Sequence, residues 1–122
     1  MCNMLISINP EHVENIFNGS KKYEYRKIRC KQEIDKMIIY STFPIMKVVG
    51  EAKVEKILED SPDNIWEATK NDSGINFKFY KEYFKNKNKA IAYKLTEIKK
   101  YDSPKELSNY GVKNAPQSYV YV

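Results

Sequence analysis

Arginine is the scarcest of the common charged residues in this 122-residue chain: of 21 lysine and arginine residues, only Arg26 and Arg29 are arginine. Histidine occurs once, as His12, and cysteine twice, as Cys2 and Cys30. Two cysteines that far apart make neither a metal signature nor a disulfide framework. A lone histidine in the first turn of a helix is a poor metal ligand, so neither a metal nor a cofactor is expected. No segment approaches the ~18 consecutive apolar residues of a membrane span, and Met4 to Ile8 is too short for the apolar core of a signal peptide. The expected location is the cytoplasm, with both thiols reduced and no membrane partner. Internal repeats, low-complexity tracts and interdomain linkers are also missing, so residues 1–122 read as one domain.

What is present is apolar and aromatic. Hydrophobic residues make up 42% of the chain, too many for a disordered one. Ten of its rings are tyrosine, which can bury an apolar body and leave a hydroxyl at the surface. The formal net charge of +5 permits a polyanionic partner without establishing one.

Along the chain, Met4 to Ile8 reads as a strand. Asn9-Pro10 supplies an N-cap and a proline at the first helical position. Val13, Ile16 and Phe17 follow at helical spacing, and Gly19 stops the helix. Met37-Ile38-Ile39-Tyr40 has the unbroken apolar pattern of a strand covered on both faces. Ser41-Thr42-Phe43-Pro44 closes it as a polar turn. Met46 to Leu58 alternates as a long strand, and Gly50 marks a bulge or a sharp bend. Ser61-Pro62-Asp63 starts a helix carrying Ile65, Trp66 and Thr69, which stops by Gly74. Phe77, Tyr80 and Phe84, with Tyr83 beside them, form the stripe of another. Rings at that spacing are core or, alternatively, stacking surfaces.

Ala90 to Ile98 alternates again. Ser103-Pro104-Lys105-Glu106 has the spacing of a capping box for a short helix with Leu107 and Tyr110. Ala115 to Val122 ends the chain as a strand. Ile38, Tyr40, Val48, Val54, Ile91, Tyr93 and Val120 are the expected sheet core, with Val13, Ile16, Phe17 and Trp66 packed on it. Five or six strands with three or four short interleaved helices give an α+β class with a curled mixed sheet, a partly closed β-barrel.

The stretch Gly19 to Lys27 stands apart. Read as a strand, it places Lys22, Glu24 and Arg26 on one face and Tyr23 and Tyr25 on the other, with Lys21 entering from the turn. In a lysine-rich chain, two arginines within four residues suit planar, bidentate binding of a carboxylate or phosphate, which lysine does poorly. The alternative is a solvated face of paired charges. Ser41 and Thr42, at the end of a buried strand, are candidate pocket hydroxyls, or plain turn chemistry. Arg29 and Lys31, in a basic loop, are candidate phosphate contacts.

Several segments together carry a resemblance: Ser7-Ile8-Asn9-Pro10 with its helix, the pattern Gly19-x-Lys21-x-x-Glu24-x-Arg26, Ile39-Tyr40-Ser41-Thr42, Val49-Gly50-Glu51 and Pro116-Gln117-Ser118-Tyr119. In that order the sequence resembles a stand-alone ASCH domain, a branch of the PUA-like superfamily whose stand-alone members are often described as predicted transcriptional regulators. The resemblance spans nearly the whole chain. It implies a barrel-like fold with packed helices, an RNA-related role, and a cleft lined by Lys21, Glu24 and Arg26 with Ser41 and Thr42 nearby.

Two functions follow. The favoured one is a module binding RNA, a nucleotide or a modified base, with Lys21 and Arg26 toward phosphate, Glu24 toward an exocyclic amine and Lys22 a further ligand-binding candidate. The other is an amidohydrolase acting on a modified nucleoside such as N4-acetylcytidine, with Lys21 and Glu24 in its machinery. Members of that type use a lysine and, three residues later, a threonine nucleophile. Glu24 stands in the threonine's place here, and a carboxylate cannot replace a hydroxyl in forming an acyl-ester. A charged cluster with only a structural role is a third outcome.

Overall fold

The structure, a computed structural model, describes residues 2–122. Strand β1 (Cys2–Ile8) leads into helix α1 (Pro10–Phe17). The helix starts because the Asn9 side chain accepts from the Glu11 N–H at 3.1 Å and Pro10 occupies the first helical position. Its Val13 and Ile16 are buried. After the short β2 (Tyr23–Arg26) come β3 (Ile34–Ser41) and the long β4 (Lys47–Asp60). Helix α2 (Pro62–Thr69), capped by Ser61, is followed by a 3₁₀ turn at Lys70–Asp72 and helix α3 (Phe77–Tyr83). Then come β5 (Ala90–Lys105), a second 3₁₀ turn at Leu107–Tyr110 and β6 (Tyr119–Tyr121).

The strands form one sheet in the order β2-β5-β4-β3-β1-β6. Among the described residues only β1 and β3 pair in parallel, and the other ladders are antiparallel. The sheet is a curled half-barrel of mixed strands, the PUA-like α+β architecture that the sequence implies. Its concave core joins Met4, Ile6, Met37, Ile39, Ala52 and Tyr93 to Val13 and Ile16 of α1. The convex side carries two further clusters. Tyr23, Tyr25, Ala90 and Ala92 pack under Ile65 of α2 and Tyr80 of α3, with Phe84 just beyond it. Leu5, Ile38, Tyr40 and Val48 meet Tyr101, beneath the Leu107–Tyr110 turn. The alternation of Ile91 and Tyr93 with the small Ala90 and Ala92 follows from this: the large residues fill the concave side, and the alanines let α2 and α3 lie close.

Gly50 shows how the sheet bends. Gly50 pairs with Ile39 and Val48 with Tyr40, so Val49 is an extra residue and a bulge breaks the ladder there. A Cβ on Gly50 would lie 2.4 Å from the Lys99 carbonyl oxygen and 2.7 Å from Cζ of Phe17. The glycine therefore lets β5 and α1 close on the bent strand.

Two expectations change. The Ser103–Glu106 segment caps no helix: β5 runs on through Lys105, and the reciprocal capping falls to Glu106 and Asn109 of the following 3₁₀ turn. Lys105 still pairs with Val48 of the bent β4, so the strand runs past Ser103 and Pro104. The final strand is only Tyr119–Tyr121, since Pro116 has no N–H to give a ladder. Phe17, Trp66 and Val120 pack against the core as expected, each half-buried.

Gly50→Ala should lower unfolding free energy by about 1–3 kcal/mol, the usual scale of overpacking. Urea denaturation measures it. An unchanged midpoint would contradict the close approach of β4, β5 and α1.

Candidate functional site

Strand β2 is one edge of the sheet, and β1 lies next to the other edge. Curling brings them together, and a side chain joins them. The Arg26 guanidinium donates from Nη2 to the Ser7 carbonyl oxygen of β1 at 2.8 Å. Nη2 and Nε also donate to Glu24 Oε2, at 2.8 and 3.1 Å. Nη1 reaches Ser118 Oγ at 3.3 Å. The C-terminal segment is fixed on the same side: the Ser7 N–H donates to the Ser118 carbonyl at 2.9 Å, and Ser7 Oγ donates to the Pro116 carbonyl at 2.6 Å. Only a planar fork of five donors can serve these partners together.

A cleft of about 180 Å³ opens at this seam. Lys21, Glu24, Tyr25 and Arg26 line one side; Ser7, Ile8, Asn9 and His12 line another; Ile75, Phe79 and Tyr83 complete it. Lys21 and Glu24 are only 3% and 6% exposed. The Lys21 Nζ donates to the Ser73 carbonyl at 3.2 Å, lies 3.9 Å from Glu24 Oε1 and sits 4.8 Å from the centre of the Tyr25 ring. Its backbone is pinned as well: its N–H donates to Asn15 of α1 at 2.9 Å, and it bridges to Ser73. Gly74 lies against it so closely that a Cβ there would be 2.3 Å from the Lys21 Cβ, and its φ is +68°. Tyr25 donates its hydroxyl to Thr69 Oγ1 at 2.7 Å, because Thr69 itself donates to the Ile65 carbonyl.

Burial pulls the Lys21 ammonium below the ordinary lysine range; the Glu24 carboxylate opposes the shift and Arg26 adds to it. Burial lowers His12 too, and the Lys21 charge reinforces this. Burial raises the Tyr25 hydroxyl to about 12 against its bond to Thr69.

The other expected site residues lie elsewhere. Lys22 is exposed and pairs with Asp72 at 3.8 Å. The regular strand begins only at Tyr23, so two-residue alternation does not reach back to Lys22, and Lys21 joins Glu24 in its place. Ser41 is buried in the ladder opposite Ile8, and the Thr42 N–H donates to the Ile8 carbonyl at 3.0 Å. Neither lines the cleft. Arg29 pairs with Glu59 at 3.5 Å, and exposed Lys31 gives its backbone N–H to the Tyr121 hydroxyl at 3.0 Å. Both belong to the loop after β2, away from the cleft lining. Residue-level reading of the sequence missed His12, Ser7, Asn9, Ser118, Phe79 and Tyr83 as neighbours of the site. The Ser7–Pro10 and Pro116–Tyr119 segments do carry the family resemblance, and that was the available signal for three of them, Ser7, Asn9 and Ser118. Among the described residues no group of three or more His, Cys, Asp and Glu side chains comes together as a metal site, and no helix is long and apolar enough to cross a membrane.

The curled, PUA-like sheet that carries this charged cleft is similar in fold to the ASCH domain proteins of Zymomonas mobilis. The chain belongs to the family described as domain of unknown function DUF365, whose model matches residues 4–117. The crystal structure of ASCH from Zymomonas mobilis superposes with a TM-score of 0.88 at 25% identity, covering 98% of this chain and 87% of that one. The ASCH domain-containing ribonuclease of Zymomonas mobilis is 29% identical over 94 residues, 76% of this chain and 64% of that protein. The ATP synthase subunit alpha of Ureaplasma parvum serovar 3 is 31% identical over 120 residues, 98% of this chain. The chain spans 15% of that subunit's length.

A desolvated ammonium whose pKa falls is a cost to the fold. Below its folded pKa, Lys21 binds its proton less well folded than unfolded; stability recovers as pH rises from that lowered value toward 10.5, where the unfolded state releases its proton too. Lys21→Met, which keeps the apolar stem, should therefore be at least as stable as wild type at pH 7, with a margin that narrows as pH rises toward 10. Thermal unfolding across that range tests it, and a less stable variant at pH 7 would contradict the burial cost.

Proposed function

We propose that this domain binds single-stranded RNA by taking one unpaired base into the cleft. The observation that carries the reading is the Lys21–Glu24–Arg26 set at the sheet seam, with Lys21 and Glu24 buried and Arg26 half-buried. Arg26 occupies Glu24 Oε2 with two bonds, whereas Oε1 has only Lys21 at 3.9 Å and keeps capacity to accept. A carboxylate oriented in this way recognises an exocyclic amine, as on cytosine or adenine, and not the carbonyl that uracil has in its place. The size agrees. A cavity of about 150 Å³ takes one benzene ring, so about 180 Å³ suits a single base. His12, Phe79 and Tyr83 supply ring faces and edges in the lining. Lys27, over the Tyr83 ring at 4.5 Å, and Arg29 and Lys31 beyond it are the cations that meet phosphates. A cytoplasmic location, with free Cys2 and Cys30 reduced, fits this role.

Cleavage of the bound RNA is a second reading. It is favoured by Lys21, buried in the cleft 3.9 Å from Glu24 Oε1, and by the relative named as a ribonuclease. The amidohydrolase alternative has less support: Ser41 and Thr42 do not line the cleft, and the Ser7 hydroxyl is engaged by Pro116.

Glu24→Gln should weaken binding of cytidine- or adenosine-containing oligonucleotides by about 1–3 kcal/mol, the scale of a charged hydrogen bond, and leave the fold intact. Wild-type affinity should fall with added salt. Fluorescence anisotropy with labelled RNA measures both. No binding to any oligonucleotide at low salt would overturn the reading. Labelled RNA cut by wild type but not by a folded Lys21→Met variant would establish cleavage.

A further inference from the structure

The cleft does not end at Lys21. A second hollow of about 570 Å³ lies between α1 and the chain from Lys70 to Phe79, and it shares His12, Ile75 and Phe79 with the first. The two hollows are thus adjoining chambers with a common wall. The wall is aromatic: His12 and Phe79 meet edge to face with ring centres 5.4 Å apart. Phe79 is nevertheless 48% exposed, and its backbone is held by the Asn76 side chain, which accepts its N–H at 2.8 Å. A large apolar ring kept half in water at the lip of a charged cleft does little for the core; it presents a stacking face. Beyond the wall the second hollow is polar, lined by Asn15, Ser20 and Asn76. It holds one cation, Lys70, and one carboxylate, Glu11. Lys70 is tied only to Glu67 at 2.9 Å, an exposed pair of the kind worth little, so a phosphate can take it over. Glu11 disfavours phosphate on the α1 side.

The sizes divide the work. The first chamber takes a base and no more, so the sugar and phosphates of a bound nucleotide must leave it. The second is large enough for a whole further nucleotide. We infer that the second hollow holds the nucleotide next in the strand to the one whose base enters the Lys21–Glu24–Arg26 cleft, with its base stacked on Phe79 and its phosphate against Lys70. This rests on the single-base reading above, and makes the ligand a dinucleotide step of unpaired RNA.

Titration calorimetry with AMP and CMP, and with the ribodinucleotides ApA and CpC, separates the two claims. The wild type should bind the dinucleotide about 5- to 150-fold more tightly than the mononucleotide, the range expected from stacking one more base. Because Phe79 lines both hollows, Phe79→Ala should weaken both ligands but the dinucleotide more, lowering that ratio, and Phe79→Trp should restore it. Lys70→Glu should lower the ratio while mononucleotide affinity stays unchanged, since Lys70 does not line the first chamber. If mononucleotides bind and dinucleotides bind no tighter, the second subsite is overturned while the single-base reading stands. It is also overturned if Phe79→Ala weakens both ligands equally. If neither ligand binds, both readings fall.

Discussion

The Arg26 guanidinium closes a sheet that its backbone leaves open. In a complete barrel, the first and last strands share a ladder of N–H and carbonyl bonds. Here β2 pairs only with β5, and among the described residues no ladder joins it to β1. Two side-chain hydrogen bonds from one residue span the gap, to the Ser7 carbonyl on β1 and to Ser118 near the C-terminus, and two more tie it to Glu24 on its own strand. Since each of those donors has a charged or carbonyl partner or a hydroxyl within 3.3 Å, the half-buried charge is satisfied and not merely tolerated.

A seam closed by side chains leaves room that a ladder would fill, and the cleft is that room. Its polar lining follows from the same requirement. Glu24 must stay beside Arg26 to neutralise it, and Lys21 is drawn in over the Tyr25 ring, where burial depresses its pKa. The close fit of Gly74 against Lys21 and the Asn15 and Ser73 bonds to it hold this third charge in place. A domain that used this cluster only for stability would do as well with apolar residues of similar volume. Retaining two cations and a carboxylate around a hollow the size of one base accords with a ligand that needs them.

Much of the architecture is legible in the residues because it rests on local rules. The Asn9-Pro10 and Ser61-Pro62 starts define α1 and α2, the apolar run Met37 to Tyr40 is buried on both faces, and Gly50 sits at the bend. Arginine scarcity and two-residue spacing make Glu24 and Arg26 legible as neighbours. The place of Lys21 is not, because the chain enters β2 through an irregular bridge to Ser73, and periodicity has no meaning before the ladder begins. The approach of Ser7, His12, Phe79 and Ser118 is equally hidden. It depends on how far the sheet curls, which is set by bulges and by packing between residues distant in sequence. The extension of β5 through Ser103-Pro104 is a tertiary override of the same kind: a capping pattern loses to an available strand partner.

The central claim is that a forked guanidinium, not a positive charge alone, holds the seam. Arg26→Lys keeps the charge and removes the fork, so its equilibrium unfolding in urea is the direct measurement. The account predicts a loss of about 2–3 kcal/mol, comparable to one or two charged hydrogen bonds. An Arg26→Lys protein as stable as wild type would contradict it.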